Sequence, residues 1–485
     1  MIPVVTPREA AQLDKYMIEE RAIPGILLME QAADEVARQA MRLADGGRIL
    51  VVCGKGNNGG DGLAAARILL SQGCDVRVGV TSEEYSGDAG ANFEFFKKNG
   101  DYALITHENL GDFFSQDAAV IVDALFGTGL SRAPMGLYDE LICEINAHSA
   151  SVVSVDIPSG VFGETGYCKN AVFADVTVTF QHPKTGHFIY PGAEHTGKLI
   201  IKKIGVESGR KYDKFLVDDI KLPQRRRNTN KGSYGRLAIL AGSRELSGAA
   251  ILCARAALRT GAGLVSCMSD EMTCAAMKAA LPEAMAAPCG EYSVSDIDKA
   301  IGMIGASPFV MGPGLGTGDE VTELICSAAE LENKKVIDAD AINVLARFPE
   351  LIVGSKCVIT PHPKEFSRLT KMSMGDILSD PLGCAKRYAR EAGVVVLLKG
   401  ASTVITDGSL SYIVAAGAPS MAKGGSGDVL SGVTGALIAQ GYGLLQAAYT
   451  AAYLCGKAGE AAYERLGGYA PLASDTIENL FRVEM

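Results

Sequence analysis

The feature that most restricts the fold is an alternation. Short apolar runs rich in β-branched residues take turns with stretches of helical spacing, and the pattern occurs in two series. In the first half the runs are Arg48–Cys53 (RILVVC), Asp75–Val80, Ala118–Val122, Ser151–Val155 and Val176–Phe180, with a helical period over Leu63–Gln72 (LAAARILLSQ) between the first two. Strands that are apolar on both faces and joined by helices predict a mostly parallel sheet covered on both sides. A helical stretch from Pro7 to Leu43, broken at Pro24-Gly25, precedes them. A second series starts at Arg236–Leu240 and runs through Phe309–Met311, Lys335–Ile337, Lys356–Ile359 and Val394–Leu398. The polar segment Glu207 to Ser233 separates the two. The expected organisation is therefore a domain over 1–215, a linker over 216–233 and a second domain over 234–485. A chain of 485 residues also exceeds what one core usually holds.

Composition narrows the function classes. The formal net charge is −10, and no Lys/Arg-dense stripe offsets it, which argues against a nucleic-acid partner. The one basic run, Arg225-Arg226-Arg227, sits in polar sequence and reads as a solvated linker. None of the twelve cysteines forms a C-x-x-C pair, and Cys53 and Cys357 lie inside apolar runs. Buried thiols fit better than a zinc or disulfide framework. Charges interrupt the N-terminus where a signal peptide needs an apolar core, and no apolar run reaches about 18 residues. The expectation is a cytoplasmic enzyme with no membrane association, and its Ala/Gly-rich helices suggest a homo-oligomer.

Gly54-Lys55-Gly56-Asn57-Asn58-Gly59-Gly60-Asp61-Gly62 follows a strand and opens a helix, and Gly54, Gly56 and Gly59 match G-x-G-x-x-G. Glycines allow close backbone approach, and N–H groups at a helix start attract phosphate. A tight turn alone also explains such a run. The Asn pair and Asp61, however, add side-chain oxygens beside the cradle. Asp123-Ala124-Leu125-Phe126-Gly127-Thr128-Gly129 and Ser154-Val155-Asp156-Ile157-Pro158-Ser159-Gly160 end two further strands with carboxylates. One such Asp is as often a cap as a catalyst; three loops on one sheet edge favour a site.

These three motifs, in this order, resemble the NAD(P)H-hydrate epimerase family over roughly residues 1–215. The resemblance implies a Rossmann-like three-layer αβα sandwich. It implies a K+ ion on Asn58, Asp123 and Ser159, an all-oxygen set suited to a hard cation. It implies a substrate site formed by Asn57, Asn58, Gly59, Gly60, Asp61, Gly127, Thr128, Gly129, Leu130, Ser131, Arg132, Ala133, Tyr138 and Asp156. Asp156 is the expected acid/base residue, since an ionisable group must stand beside the carbon whose hydroxyl leaves and returns.

The second half holds the sharper motif, Lys423-Gly424-Gly425-Ser426-Gly427-Asp428-Val429-Leu430-Ser431-Gly432, whose continuation reads as an apolar helix. Gly-x-Gly-Asp places N–H groups and a carboxylate at a helix start, as phosphoryl transfer requires. Lys399-Gly400-Ala401-Ser402-Thr403 follows another strand and suits a phosphate or an ordinary turn. Asp338-Ala339-Asp340-Ala341-Ile342-Asn343 and Thr360-Pro361-His362-Pro363-Lys364-Glu365 end two more, and His362 between two prolines reads as a ligand contact. Together with Gly312-Pro313-Gly314-Leu315-Gly316 and the Thr260-Gly261-Ala262-Gly263 turn, these resemble the ribokinase-like ADP/ATP-dependent NAD(P)H-hydrate dehydratases over roughly 225–485. The resemblance implies a ribokinase-like α/β domain in which Ala262, Gly316, His362 and Asp428 contact the hydrated nucleotide. Lys399, Gly400, Ala401, Ser402, Thr403 and Gly427 would bind ADP or ATP with Mg2+, ADP being favoured, and Asp428 would be the catalytic base.

The substrates implied are NADHX and NADPHX, the hydrates of NADH and NADPH. A dehydratase that accepts only the S epimer strands the R form, which gives the fusion a chemical reason. The competing reading is a vitamin-precursor kinase fused to a non-catalytic nucleotide-binding module. His362 in place of Asn and the intact first-half loops count against it.

Overall fold

The computed structural model describes residues 1–99, 101–205, 209–289 and 294–480. The chain forms two compact units, 3–212 and 213–485, the latter joined by Met1–Ile2.

In the first unit seven strands lie in the order Tyr102–Leu104, Val76–Val80, Ile49–Cys53, Val120–Ala124, Ser151–Val155, Val176–Phe180, Lys198–Lys202. Every neighbouring pair is parallel. The order reverses between Ile49–Cys53 and Val120–Ala124, so a crevice opens there at the carboxyl edge. The apolar runs explain the layering, because successive side chains point to opposite faces. Ile49, Val51 and Cys53 pack with Val36, Ala40, Leu63 and Ala66 from helices Gly25–Ala44 and Asn57–Ser71. Leu50 and Val52 pack on the other face with Phe113, Leu141 and Ile145. Each buried Val, Leu or Ile contributes roughly 1.5–3 kcal/mol, enough to fix the strand register. The expected N-terminal helical stretch is helix Pro7–Lys15, capped reciprocally by Thr6 and Glu9, a π-helical turn Tyr16–Glu20, and helix Gly25–Ala44 after Pro24.

The glycines of the first motif serve close approach. A Cβ on Gly54 would stand 2.0 Å from the carbonyl oxygen of Leu125, and one on Gly59 would stand 1.7 Å from that of Gly54. These contacts let helix Asn57–Ser71 start directly above the strand.

In the second unit the sheet order from one side is Ile2–Pro3, Lys214–Leu216, Ser411–Val414, Thr403–Thr406, Val395–Leu398, Cys357–Ile359, Lys335–Ile337, Phe309–Met311, Arg236–Leu240, Leu264–Ser269, Met285–Pro288. From Lys214–Leu216 onward, pairing is parallel except at the hairpin of Val395–Leu398, Thr403–Thr406 and Ser411–Val414. Helices Ser247–Thr260 and Ser426–Ala439 cross so closely that a Cβ on Gly432 would meet the Cys253 carbonyl oxygen at 2.2 Å.

The linker expected over 216–233 is largely built into this unit. Lys214–Leu216 pairs with Ser411–Val414, and Val217 and Ile220 pack into the core. Arg225 is not simply solvated: its guanidinium bonds the Gly261 carbonyl and lies 3.9 Å over the Tyr234 ring. The polar segment begins at Glu207, and Glu207 and Ser208 lie outside the described residues. Among the described residues no cysteine is in a disulfide, and no helix is long and apolar enough to cross a membrane.

Replacing Gly59 by Ala should destabilise the first unit by about 1–3 kcal/mol, because overpacking against a backbone carbonyl cannot be relieved by a rotamer change. Helix propensity alone predicts the opposite sign. A thermal melt of Gly59→Ala with an unchanged or raised first-unit Tm would contradict the close-approach role.

Candidate functional sites

Four loops at the carboxyl edge of the first sheet enclose a cavity of about 590 Å³. It is lined by Asn57, Asn58, Asp61, Gly127, Thr128, Gly129, Leu130 and Asp156 among the residues singled out in sequence. Gly59 and Gly60 do not reach this wall: Gly59 faces the Gly54 backbone and Gly60 faces Ala89. Ser131, Arg132 and Ala133 lie outside the lining, and so does Tyr138, which bonds Thr81 at 3.2 Å and packs on Phe126.

Asp123 and Ser159 are in direct contact. Asp123 accepts hydrogen bonds from the Ser159 hydroxyl at 2.6 Å and N–H at 2.9 Å, and from the Ser154 hydroxyl at 2.8 Å. Ser159 Oγ in turn accepts from the Phe126 N–H at 2.9 Å. Burial nevertheless pushes the Asp123 carboxyl above its ordinary range. Asn58 is buried, its Oδ1 lies against Gly127, and its Nδ2 has no partner.

Asp156 caps its strand in a left-handed conformation, φ 67°, which sends the side chain into the cavity. Its partners come from the segment after Val176–Phe180. Lys184 forms a buried ion pair with Asp156 and also donates to Thr179 at 2.9 Å, while Thr179 donates to Asp156 at 3.1 Å. Burial pushes the Asp156 carboxyl up, but the charge and hydrogen bond of Lys184, with His187 and Thr179, outweigh it and hold it below the ordinary value. His187 Nδ1 accepts the Lys184 N–H at 3.0 Å, so Nε2 carries the proton donated to the Asp156 carbonyl at 2.9 Å. Burial and the Lys184 charge lower His187 to about 4, so it is a neutral strut.

Asp61 behaves oppositely. Burial, then the charges of Asp156 and Asp14, drive it well above the carboxylate range, with Lys184 opposing. Lys184 and Asp14 were not identified from sequence. The Gln181-His182-Pro183-Lys184 segment that ends the next strand was the available signal.

The second site assembles at the carboxyl edge of its own sheet. Asp338 follows Lys335–Ile337, and its carboxylate receives Lys399 Nζ at 2.9 Å and the Ser431 hydroxyl at 2.7 Å. Glu365 lies 3.9 Å from the same ammonium. A Cβ on Gly427 would stand 3.4 Å from Lys399 Nζ and 3.7 Å from Asp338 Oδ2, so the glycine motif and both charges converge. Gly425 caps helix Ser426–Ala439 at φ 95°, where a side chain would also meet Leu252 and Ala473. Asp428 stands in the first turn. Burial and the charges of Asp338 and Asp340, opposed by Lys399, push its carboxyl to about 7, a value suited to a general base near neutrality.

Gly316 joins this edge through its N–H to Asp340 at 2.9 Å. Lys399, Gly400, Ala401, Ser402 and Thr403 form the turn of the β-hairpin. His362 is foremost an N-cap: Nδ1 accepts the Lys364 and Glu365 N–H groups at 3.1 and 3.2 Å, and Glu365 caps back onto the His362 N–H at 2.9 Å. Nε2, the other ring nitrogen, lies 3.4 Å from Glu365 Oε1.

Ala262 does not fit its expected role. It precedes Leu264–Ser269 at the amino edge of the sheet, where Gly263 N–H bonds the Tyr234 carbonyl, and it is buried in the core. The helix before it has already carried the chain away from the carboxyl edge. The alanine at that edge is Ala249, against Gly314. Ser431 was likewise missed, because a serine inside an apolar helix carries no motif.

Comparisons with known proteins agree with this two-site layout. The family described as YjeF-related protein N-terminus matches residues 26–186, and that described as NAD(P)H-hydrate dehydratase matches 237–480. A bifunctional NAD(P)H-hydrate repair enzyme of Moorella thermoacetica is 38% identical, over 98% of this chain and 96% of that protein. The Escherichia coli protein of the same name is 35% identical over 99% and 95%. A ribokinase-like superfamily protein from Enterococcus faecalis superposes with TM-score 0.50 at 23% identity, covering 57% of this chain and 96% of that one, and shows the fold of the second unit.

Asp428→Asn should stabilise the second unit above neutrality. The carboxyl titrates near 3.8 when unfolded and about 7 when folded, so its charge opposes folding progressively between those values and fully above them. Tm should rise at pH 8 and change little at pH 4, by about 2–4 °C per kcal/mol recovered for a unit of this size. An equal Tm at both pH values would contradict the buried, like-charged setting. With near full-length identity to curated relatives and both family signatures in order, the chain belongs to the bifunctional NAD(P)H-hydrate repair enzymes.

Proposed function

We propose that the first unit interconverts the R and S hydrates of NADH and NADPH, and that the second unit dehydrates the S form at the expense of ADP or ATP, restoring NAD(P)H. The observation that carries this reading is the setting of Asp428, a carboxyl poised at about 7 beside Lys399 and Asp338 at a glycine-led helix start. In the dehydratase reaction Asp428 takes the proton of the ring hydroxyl as its oxygen attacks the terminal phosphoryl group of ADP or ATP, and the bond to the departing AMP or ADP breaks. Phosphate then leaves with the C–O electrons, and loss of a neighbouring ring proton restores the double bond. Lys399 and the N–H groups at the start of helix Ser426–Ala439 are placed to oppose the negative charge on the moving phosphoryl. In the epimerase Asp156 handles the proton of the departing and returning hydroxyl.

Asn58, Asp123 and Ser159 would hold K+. Their candidate ligand atoms are oxygens and all three residues are buried, a donor set suited to a hard cation. Bound there, the ion would supply a fixed positive charge to the edge of the cavity. Among the described residues no group of three or more His, Cys, Asp or Glu side chains is arranged to hold a metal. Mg2+ in the dehydratase would accordingly enter with the nucleotide phosphates, with Asp338, Asp340 or Asp428 as the nearby carboxylates.

The deciding assay supplies mixed epimers of NADH hydrate with ADP or ATP and follows NADH absorbance. Wild-type protein should convert the whole pool. Asp156→Asn should stop the rapid phase at the S fraction. Asp428→Asn should lose nucleotide-dependent dehydration by at least about 10²-fold while still equilibrating the epimers. Phosphorylated product accumulating without NADH would overturn the dehydratase assignment in favour of a kinase. Retained dehydration in Asp428→Asn would remove the base from this residue.

A further inference from the structure

The cavity of the first unit holds more ionisable groups than one acid/base residue needs. Asp156 and Lys184 face it from the strand ends, Asp61 from helix Asn57–Ser71, Asp14 from helix Pro7–Lys15, and Lys55, Asp88 and His182 complete the charged and titratable lining. The two central carboxyls differ in what they touch. Asp156 is committed to Lys184 and Thr179, and its backbone carbonyl to His187. Asp61 has no protein hydrogen-bond donor on its carboxyl among the described residues, and it borders the cavity directly. We propose that Asp61 is a second catalytic carboxyl, which exchanges a proton with the ring hydroxyl as the partner of Asp156.

The inference rests on the epimerase reading of this cavity. Epimerisation requires that an oxygen leave one face of a ring carbon and that one return on the other. In one direction the Asp61 carboxylic acid gives its proton to the hydroxyl and the C–O bond breaks. Its electron pair departs on water, while the ring nitrogen lone pair stabilises the carbon left behind. A water oxygen then bonds that carbon, the electron pair returns to nitrogen, and the surplus proton goes to the Asp156 carboxylate. The reverse direction uses the same two groups with their protonation exchanged, so no oxidant or co-reactant is needed. The environments lean towards these starting states: Lys184 holds Asp156 below the ordinary carboxylate range, while burial and two other carboxylates push Asp61 well above it. Carboxyls pushed apart in this way divide acid and base duties.

The test uses the full-length protein and mixed epimers of NADH hydrate, with epimer ratio followed by chromatography in the absence of nucleotide. Wild-type turnover is measured first; if it is absent, the epimerase reading itself falls. Asp61→Asn should lower kcat for epimerisation by about 10²–10⁴-fold in both directions with KM changed less than a few-fold. It should also erase the alkaline limb of the pH profile, where the wild-type acid loses its proton. Asp61→Glu should restore part of the rate and the limb. A first-unit melting transition for Asp61→Asn no lower than that of wild type serves as the folding control. Asp61→Asn with kcat within two-fold of wild type, or a loss of rate that leaves the alkaline limb in place, overturns the proposal.

Discussion

Everything functional in this chain depends on parallel strand pairing. When neighbouring strands run the same way, all their carboxyl ends meet one edge, and every loop that leaves them starts there. Residues as far apart in sequence as Asp61, Asp156 and Lys184 then share one cavity, and Asp338, Lys399 and Gly427 come within contact. The same pairing demands strands apolar on both faces, and it excludes from the edge anything that precedes a strand. Ala262 is excluded for that reason.

Both sites place carboxylates where water is scarce and then separate their charge states by neighbours. In the first unit Lys184 lies against Asp156 and holds its carboxyl below the ordinary range, while burial and the neighbouring carboxylates push Asp61 well above it. In the second unit Lys399 is claimed by Asp338 and approached by Glu365, which leaves Asp428 exposed to the repulsion of Asp338 and Asp340. An ion pair next to a catalytic group thus acts by what it withholds as much as by what it contributes.

Much of this was legible in the sequence. The apolar runs located the central strands to within two residues, because full burial leaves a continuous hydrophobic signature. Others escaped: at the edges Lys198–Lys202 carries lysines and Tyr102–Leu104 is too short to show a period, and inside the second sheet Leu264–Ser269, Thr403–Thr406 and Ser411–Val414 carry polar residues. Glycine motifs located the loops but blurred their chemistry, since Gly59 is needed for packing whereas Gly427 faces charge. Lys184 was legible only as part of a polar segment after a strand, which by itself names no chemistry. Its role exists only through the carboxylate beside it. His362, expected to contact the ligand, also caps helix Pro363–Thr370, whose start its following proline helps to set, a structural role that no motif announced.

The turn that carries Gly425 is held from the far end of the chain. Lys423 bonds the Tyr469 and Pro471 carbonyls at 2.6 and 2.8 Å, and Ala473, which begins the final helix Ala473–Asn479, closes over Gly425. During synthesis, the loop around Asp428 therefore lacks its clamp until residues 469–473 have left the ribosome. The second site thus completes only after that segment emerges, while the first unit, complete by residue 212, can fold as translation continues.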